Sequence, residues 1–506
     1  MEAAGTWALL LALLLLLLLT LVLPRTRAQG RLPPGPTPLP LLGNLLQLRP
    51  GALYSGLLRL SKKYGPVFTV HLGPWRRVVV LVGHEAVREA LGGQPEEFSG
   101  RGTLATLDKT FDGHGVFFAN GERWKQLRKF TLLALRDLGM GKREGEELIQ
   151  LEVQCLLEAF RETKGHPFDP SLLLAQATSN VICSLNFGLR LPYEDEEFQA
   201  VVQAASGTLL GISSPWGGTL LYPPYSKMFS WFLQPLPGPH TELQRHLGTL
   251  AAFAAQQVER HQGNFQTSGP ACDIVDAFLL RMEQEKQDPG TEFTDKNLLM
   301  TVTYLLFAGT MTVGATIRYA LLLLLKYPEV QKRVREELTQ ELGPGRAPSL
   351  SDRTRLPYTD AVLNETQRLL ALVPMGMPRA LTRTTCFRGY TLPQGTEIFP
   401  LLGSVLHDPE AFQKPEEFNP DRFLDADGHL RKLEAFLPFS LGKRICLGEG
   451  LVRSELFLFF TAILQAFSLD TPCPPDTLSL QPAVCGLFNI PPAFQLQVQP
   501  TDHHSR

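Results

Sequence analysis

Near the C-terminal end of the chain, Phe439, Gly442, Arg444, Cys446 and Gly448 stand in the spacing Phe-x-x-Gly-x-Arg-x-Cys-x-Gly. A cysteine thiolate can ligate iron, and a buried thiolate stays anionic only where backbone N–H groups or cations face it. Glycines at 442 and 448 let the backbone turn closely around the sulfur. The apolar run from Leu451 reads as a helix that starts just beyond it. A buried free cysteine in a turn is the bland alternative. Average residue frequencies put this five-position pattern in roughly one random chain of this length in 10,000. That rarity favours a loop that holds haem through a thiolate.

Other stretches carry the chemistry that such a loop needs. Phe307-Ala308-Gly309-Thr310-Met311-Thr312 lies mid-way along an apolar helix expected from about Asp295 to Lys326 and ended by Tyr327-Pro328. Ala308 and Gly309 leave room beside the backbone, and the Thr312 hydroxyl can then hydrogen-bond oxygen or water. Close helix packing, with threonines bonded back to carbonyls, explains the same residues. Trp124 and Arg128 offer an indole N–H and a guanidinium on adjacent turns, both able to reach carboxylates. Lys125, Lys129 and Arg136 form a second stripe roughly 90° away, suited to an acidic electron-donor protein or merely solvated. Glu365 and Arg368 share a helical face; alone, such a pair reads more readily as a surface pair.

The bulk properties narrow the classes. The 506 residues are 44% hydrophobic with net charge −2, and no basic tail suggests a nucleic-acid partner. Seven cysteines with no Cys-x-x-Cys pair argue against a disulfide framework or zinc site and for a reducing, cytosol-facing compartment. No phosphate-binding glycine motif follows a strand, so redox chemistry here needs electrons from another protein.

These groups must be positioned by one mainly α-helical domain with a small β region. Helices are expected at Arg123–Leu135, Gly145–Arg161, Leu298–Lys326, Glu329–Leu342, Asp360–Leu370 and Leu451–Phe467. Strands are expected at Val67–Val70 and Val78–Val82, as a hairpin, and at Phe387–Leu392, Glu397–Pro400 and Phe494–Val498. Trp7–Leu23 is almost wholly Leu, Ala and Val, about 25 Å as a helix, and the arginines follow it. This predicts an uncleaved anchor with the body in the cytosol; a cleaved signal peptide is the competitor. The expected division is an anchor over 1–24, a basic, proline-rich and semi-rigid hinge over 25–40, the catalytic domain over 41–499 and a tail over 500–506.

Taken in order, these motifs resemble a microsomal cytochrome P450 over essentially the whole chain, most similar to family two and its S subfamily. The resemblance implies that fold, with an N-terminal transmembrane anchor in the endoplasmic reticulum. It implies haem b with Cys446 as axial thiolate, and Trp124, Arg128, Arg379, Arg444 and Arg101 about the propionates. Glu365 and Arg368 are implied to form a structural triad with Arg422. Thr312 matches the hydroxyl that handles dioxygen and its protons. Phe117, Phe307, Ala308, Val373, Met377 and Phe488 fall in segments like the family's substrate-recognition regions. Pro223–Pro239, with Met228, Phe229, Trp231 and Phe232, resembles a membrane-dipping loop. The implied partners are an NADPH-dependent flavoprotein reductase, a small b-type cytochrome, membrane lipid and a lipophilic substrate such as a fatty acid, eicosanoid, retinoid or xenobiotic. One position departs from the pattern: Met311 stands where Asp or Glu usually precedes the threonine, and a thioether cannot relay a proton. Rearrangement of hydroperoxides or endoperoxides without a reductase is therefore the second reading. A haem sensor or carrier is the third.

Overall fold

A computed structural model describes Ala12 and residues 31–501, apart from 40–41, 49–52, 74–75, 215–237, 267–268 and 344–345. Of the expected anchor only Ala12 is therefore described, and Met228, Phe229, Trp231 and Phe232 lie outside the described residues. Residues 31–39 have no regular helix or strand. They are nonetheless fastened to the body: Thr69 donates from its N–H to Pro34 O (2.9 Å) and from its hydroxyl to Pro33 O (2.9 Å), and Asn44 Nδ2 donates to Pro36 O (3.2 Å). The end of the expected hinge is thus laid along the body as an extended strap.

Among the described residues, nine helices reach 14 residues or more: α1 Gly121–Asp137, α2 Arg143–Glu162, α3 Ser171–Phe187, α4 Glu196–Ser213, α5 Pro239–Asn264, α6 Asp295–Lys326, α7 Pro328–Leu342, α8 Pro357–Leu370 and α9 Glu449–Ala466. The six helices expected from periodicity all form, and begin a little earlier than expected. Their first turns hold residues outside the apolar period. Pro328 and Pro357, for example, suit the first helical position because they have no N–H to leave unbonded.

The axis of the molecule is α6, which packs against α3, α5, α8 and α9. The Thr294 hydroxyl caps its start by accepting from Asn297 N (3.3 Å), and Pro328 beyond Tyr327 prevents its continuation. It is long and apolar enough to cross a membrane, yet 61% of its most apolar stretch is buried, so it is a core helix. Gly309 is required by packing: a Cβ there would lie 2.9 Å from Ile182 Cβ on α3. For this glycine the close-packing explanation holds.

A five-stranded sheet flanks the helices, in the order Val67–His71 (β1), Arg77–Leu81 (β2), Glu397–Pro400 (β7), Arg379–Ala380 (β4) and Gly100–Arg101 (β3). β1 and β2 form the expected hairpin, β7 runs parallel to β2, and β4 and β3 continue antiparallel. The single strand expected at 387–392 is instead a hairpin, Thr385–Phe387 (β5) with Tyr390–Leu392 (β6). It turns at Arg388 and Gly389, both at positive φ (48° and 78°), the conformation of a tight two-residue hairpin turn. The last strand lies at Gln497–Pro500, paired with Phe467–Asp470, rather than beginning at Phe494.

Glu365 and Arg368 are not a surface pair. Both side chains have zero exposure, and Arg368 holds Glu365 through two bonds (Nε to Oε2 2.6 Å, Nη2 to Oε1 2.9 Å). Arg422 Nε and Asn419 N–H donate to the same carboxylate at 3.0 and 2.9 Å. The remaining guanidinium donors reach Leu406 O, Glu417 O and Gln413 O. This knot ties α8 to the loop that precedes Cys446. Removing one partner strands a buried charge, which costs about 3–5 kcal/mol. Glu365→Ala should therefore lower the yield of folded holoprotein sharply, and the unfolding free energy read from denaturant titration should fall by an amount in that range; an unchanged value contradicts this role.

Candidate active site

The cysteine loop is built by two left-handed residues, Ser440 (φ 68°) and Gly442 (φ 77°). At Gly442 a side chain has no room, since a Cβ would sit 2.2 Å from Leu91 O. The Cys446 N–H closes the loop on Phe439 O (3.0 Å), and α9 begins three residues later at Glu449. Gly448 is different from expectation. Its φ of −89° is ordinary, and a Cβ would meet no protein atom within 4 Å, because Gly448 lines an internal cavity. Cys446 lines the same cavity, and its exposed surface opens into it. Burial pushes the thiol up, Glu449 adds to that, and the Gly448 N–H and Arg128 oppose it. A cation at the sulfur reverses the balance and favours the thiolate.

Four arginines converge beside the thiol. Arg101 on β3 and Arg379 on β4 are direct partners in an antiparallel ladder, an arrangement of like charges that costs stability unless an anion lies between them. Arg444 donates to Ser99 O (2.8 Å), Phe117 O (3.2 Å) and Ala119 O (2.7 Å) and lies over the Trp124 ring at 3.9 Å. Arg128 on α1 donates to Ile445 O (2.7 Å). Burial pushes all four downward, and neighbouring cations add to it for Arg101 (to about 10), Arg444 (to about 7) and Arg379 (well below the usual arginine range), whereas Cys446 opposes the fall of Arg128. For Arg101, Tyr304 and Asp108 oppose the fall. None of the four is in an ion pair with a described carboxylate. Two buried donors, Arg101 Nη1 and Arg379 Nε, have no hydrogen-bond partner among the described residues.

Opposite the cysteine, Ala308, Gly309 and Thr312 of α6 line the cavity. The Thr312 hydroxyl donates to Ala308 O (2.9 Å), leaving its oxygen lone pairs available. Phe117, Phe307, Val373, Met377 and Phe488 line it too. Phe117 stacks on Tyr304 (4.0 Å between ring centres), and the Arg101 guanidinium lies over the Phe117 ring, 4.0 Å from its centre. Met311 is not a lining residue; it turns toward α4, where Ser206 Oγ donates to its Sδ (3.5 Å). Among the lining residues that sequence reasoning missed are the polar side chains of Tyr304, Thr316, Gln367 and Glu455. Each sits within an apolar helical run and gives no motif; only the packing turns it inward.

The residues present fit haem. Unpartnered buried guanidinium donors beside a cation cluster need an anion, which carboxylates would supply. The open space at Gly448 is a cradle that a Cβ would fill, and the thiol facing it needs a metal cation to ionise.

The comparisons with known proteins agree. A family model described as Cytochrome P450 matches residues 33–498. The chain is 82% identical to Cytochrome P450 2S1 of Mus musculus, with all of both chains covered. It is 78% identical to Cytochrome P450 2S1 of Homo sapiens, over all of this chain and 99% of that one. With Cytochrome P450 2G1 of Oryctolagus cuniculus it shares 50% identity, over 98% of this chain and 99% of the other.

If Cys446 is the iron ligand, Cys446→Ser should remove the thiolate band from the reduced, carbon-monoxide-bound absorption spectrum. Survival of that band in the mutant refutes the assignment.

Proposed function

The chain belongs to the cytochrome P450 family, in family two and its S subfamily, and is a haem-thiolate monooxygenase; from that premise we propose that it oxidises lipophilic molecules such as fatty acids, eicosanoids, retinoids and xenobiotics. Electrons come from NADPH through a separate flavoprotein reductase, with a small b-type cytochrome as a second donor. The enzyme works at the endoplasmic reticulum membrane with its catalytic body in the cytosol. The observation that carries the substrate class is the cavity wall. Phe117, Phe307, Val373, Met377 and Phe488 are apolar, so binding draws on buried hydrocarbon area rather than on charge.

Haem, when bound, supplies dioxygen activation, and a thiolate ligand favours O–O cleavage. Cys446 would provide that ligand, with the Gly448 N–H steadying its charge. Arg101 and Arg379 would hold the carboxylates through their free donors, and Arg128, Trp124 and Arg444 would complete the rim. The oxygen of Thr312 faces the cavity as an acceptor and orients a water or a protonated group. The apolar wall excludes bulk water, so protons reach the site only along fixed groups.

The basic face of α1 supports the electron-donor reading, since Lys125, Lys129 and Arg136 are all exposed. Replacing Lys125 and Lys129 by Glu should cut reductase-supported kcat/KM roughly tenfold at low salt, and less at high salt. A loss that does not depend on salt contradicts docking there.

Peroxide rearrangement remains the second reading, and the orientation of Met311 favours it. The side chain before Thr312 is a thioether directed at Ser206, so no carboxyl stands at that point of the oxygen side. Product formation with and without NADPH and reductase separates the two activities. Met311→Glu should raise reductase-supported turnover relative to peroxide-supported turnover, and no change in that ratio would sink the explanation.

A further inference from the structure

The direction in which Thr312 presents its hydroxyl depends on the roll of α6 about its own axis, and polar groups of α3 hold that roll from behind. Thr178, Ser179 and Asn186 of α3 are each buried, and none of the three lines the cavity. Each reaches α6 instead. Asn186 Nδ2 donates to Val302 O (3.3 Å), the Ser179 and Thr310 hydroxyls lie 3.0 Å apart, and the Thr178 hydroxyl donates to Thr310 O (2.7 Å). Leu174 O and Ala175 O are also within reach of the single Thr178 proton, at 3.0 and 3.3 Å, but Thr310 O is the nearest acceptor. In a regular helix Thr310 O accepts from the Gly314 N–H. Thr178 therefore brings a second donor, from another helix, to one carbonyl of the α6 ladder, and a side chain placed there changes the local course of a helix. Gly309 and Gly314 permit the approach: a Cβ on them would lie 2.9 Å from Ile182 Cβ and 3.4 Å from Ala175 Cα. Other buried threonines behave differently. Thr208 on α4 and Thr461 on α9 bond only to carbonyls of their own helices.

We propose that Thr178 is a positioning residue for the oxygen side of the cavity: its hydrogen bond to Thr310 O sets the roll of α6 at which the Thr312 hydroxyl faces the site opposite Cys446. Three successive residues of α6 point in three directions, about 100° apart. Thr310 meets Ser179 of α3, Met311 meets Ser206 of α4, and Thr312 lines the cavity. Because one turn serves three neighbours, a change at the α3 contact is carried to Thr312. A roll of about 10° moves an atom about 5 Å from the helix axis by about 0.9 Å. A displacement of that size at a group that orients the reactants lowers the rate by up to about 100-fold. The Thr312 hydroxyl is bonded back to Ala308 O, so it cannot correct its own aim by turning about χ1 without breaking that bond. Thr178 touches neither the cavity nor the thiol, and it acts on Thr312 only through the α6 backbone.

This inference rests on the monooxygenase reading, and its first test needs no turnover. Thr178→Val keeps the shape of the side chain and removes the hydroxyl, whereas Thr178→Ser keeps the hydroxyl. The infrared C–O stretch of the reduced, carbon-monoxide-bound holoenzyme reports the polar groups that face the bound gas. Thr178→Val should shift or split that band, and Thr178→Ser should return it to the wild-type position. In a Thr312→Ala background there is no hydroxyl to aim, so Thr178→Val should add no further shift. A merely structural role would lower stability in both backgrounds and leave the band where it was. Product formed per NADPH consumed should fall about tenfold in Thr178→Val and recover in Thr178→Ser. Should Thr178→Val not accumulate as holoprotein, Thr178→Ala replaces it with the same expectations. An unchanged band in the variant, or an equal shift with and without the Thr312 hydroxyl, overturns the proposal. If the band responds as stated but no reductase-supported product forms even in wild type, it is the monooxygenase reading that fails.

Discussion

Four guanidiniums, three of them buried and that of Arg128 half-buried, crowd one side of one cavity, and none is paired with a described carboxylate. Arg101 and Arg379 face each other across a sheet, Arg128 comes from α1 and Arg444 from the cysteine loop. Cations held so close in a poorly solvated site repel one another, and desolvation disfavours each charge. The elements that carry them can stay together only if an anion is shared among them. The β3–β4 ladder, the first long helix and the cysteine loop are thus coupled through a cofactor's negative charge as well as through apolar packing.

The thiol of Cys446 poses the complementary problem. It is a potential anion in a place where burial disfavours ionisation, with the Gly448 N–H and the Arg128 guanidinium to help. A cofactor carrying both carboxylates and a metal cation resolves both strains together. The rest of the cavity is then free to be apolar. Gly309 lets α3 lie close against α6, and α6 in turn presents Thr312 across the cavity from the sulfur.

Much of this was legible in the residues. The cysteine loop, the long core helix, the β1–β2 hairpin and strand β7 all follow from spacing and periodicity. Helices α3 and α4 are harder to read, because both are buried on most faces and their apolar pattern loses its period. The split of residues 385–392 into two strands depends on positive φ at Arg388, which arginine does not advertise. Burial of Glu365 could not be told from an i, i+3 surface pair without knowing that Arg422 arrives from a distant loop. The direction of Met311 depends on where α4 packs. Glu455 looks like a polar position at the edge of an apolar run, and only the convergence of α6, α8 and α9 places it against the cavity.

The central claim is that the arginine cluster exists to bind the carboxylates of a haem held by Cys446. Haem-free protein offered equal amounts of haem and of its dimethyl ester, whose carboxylates are masked, tests this directly. Two or more charge-assisted bonds predict a preference for free haem of about 100-fold or more. Equal incorporation of the ester would contradict the account.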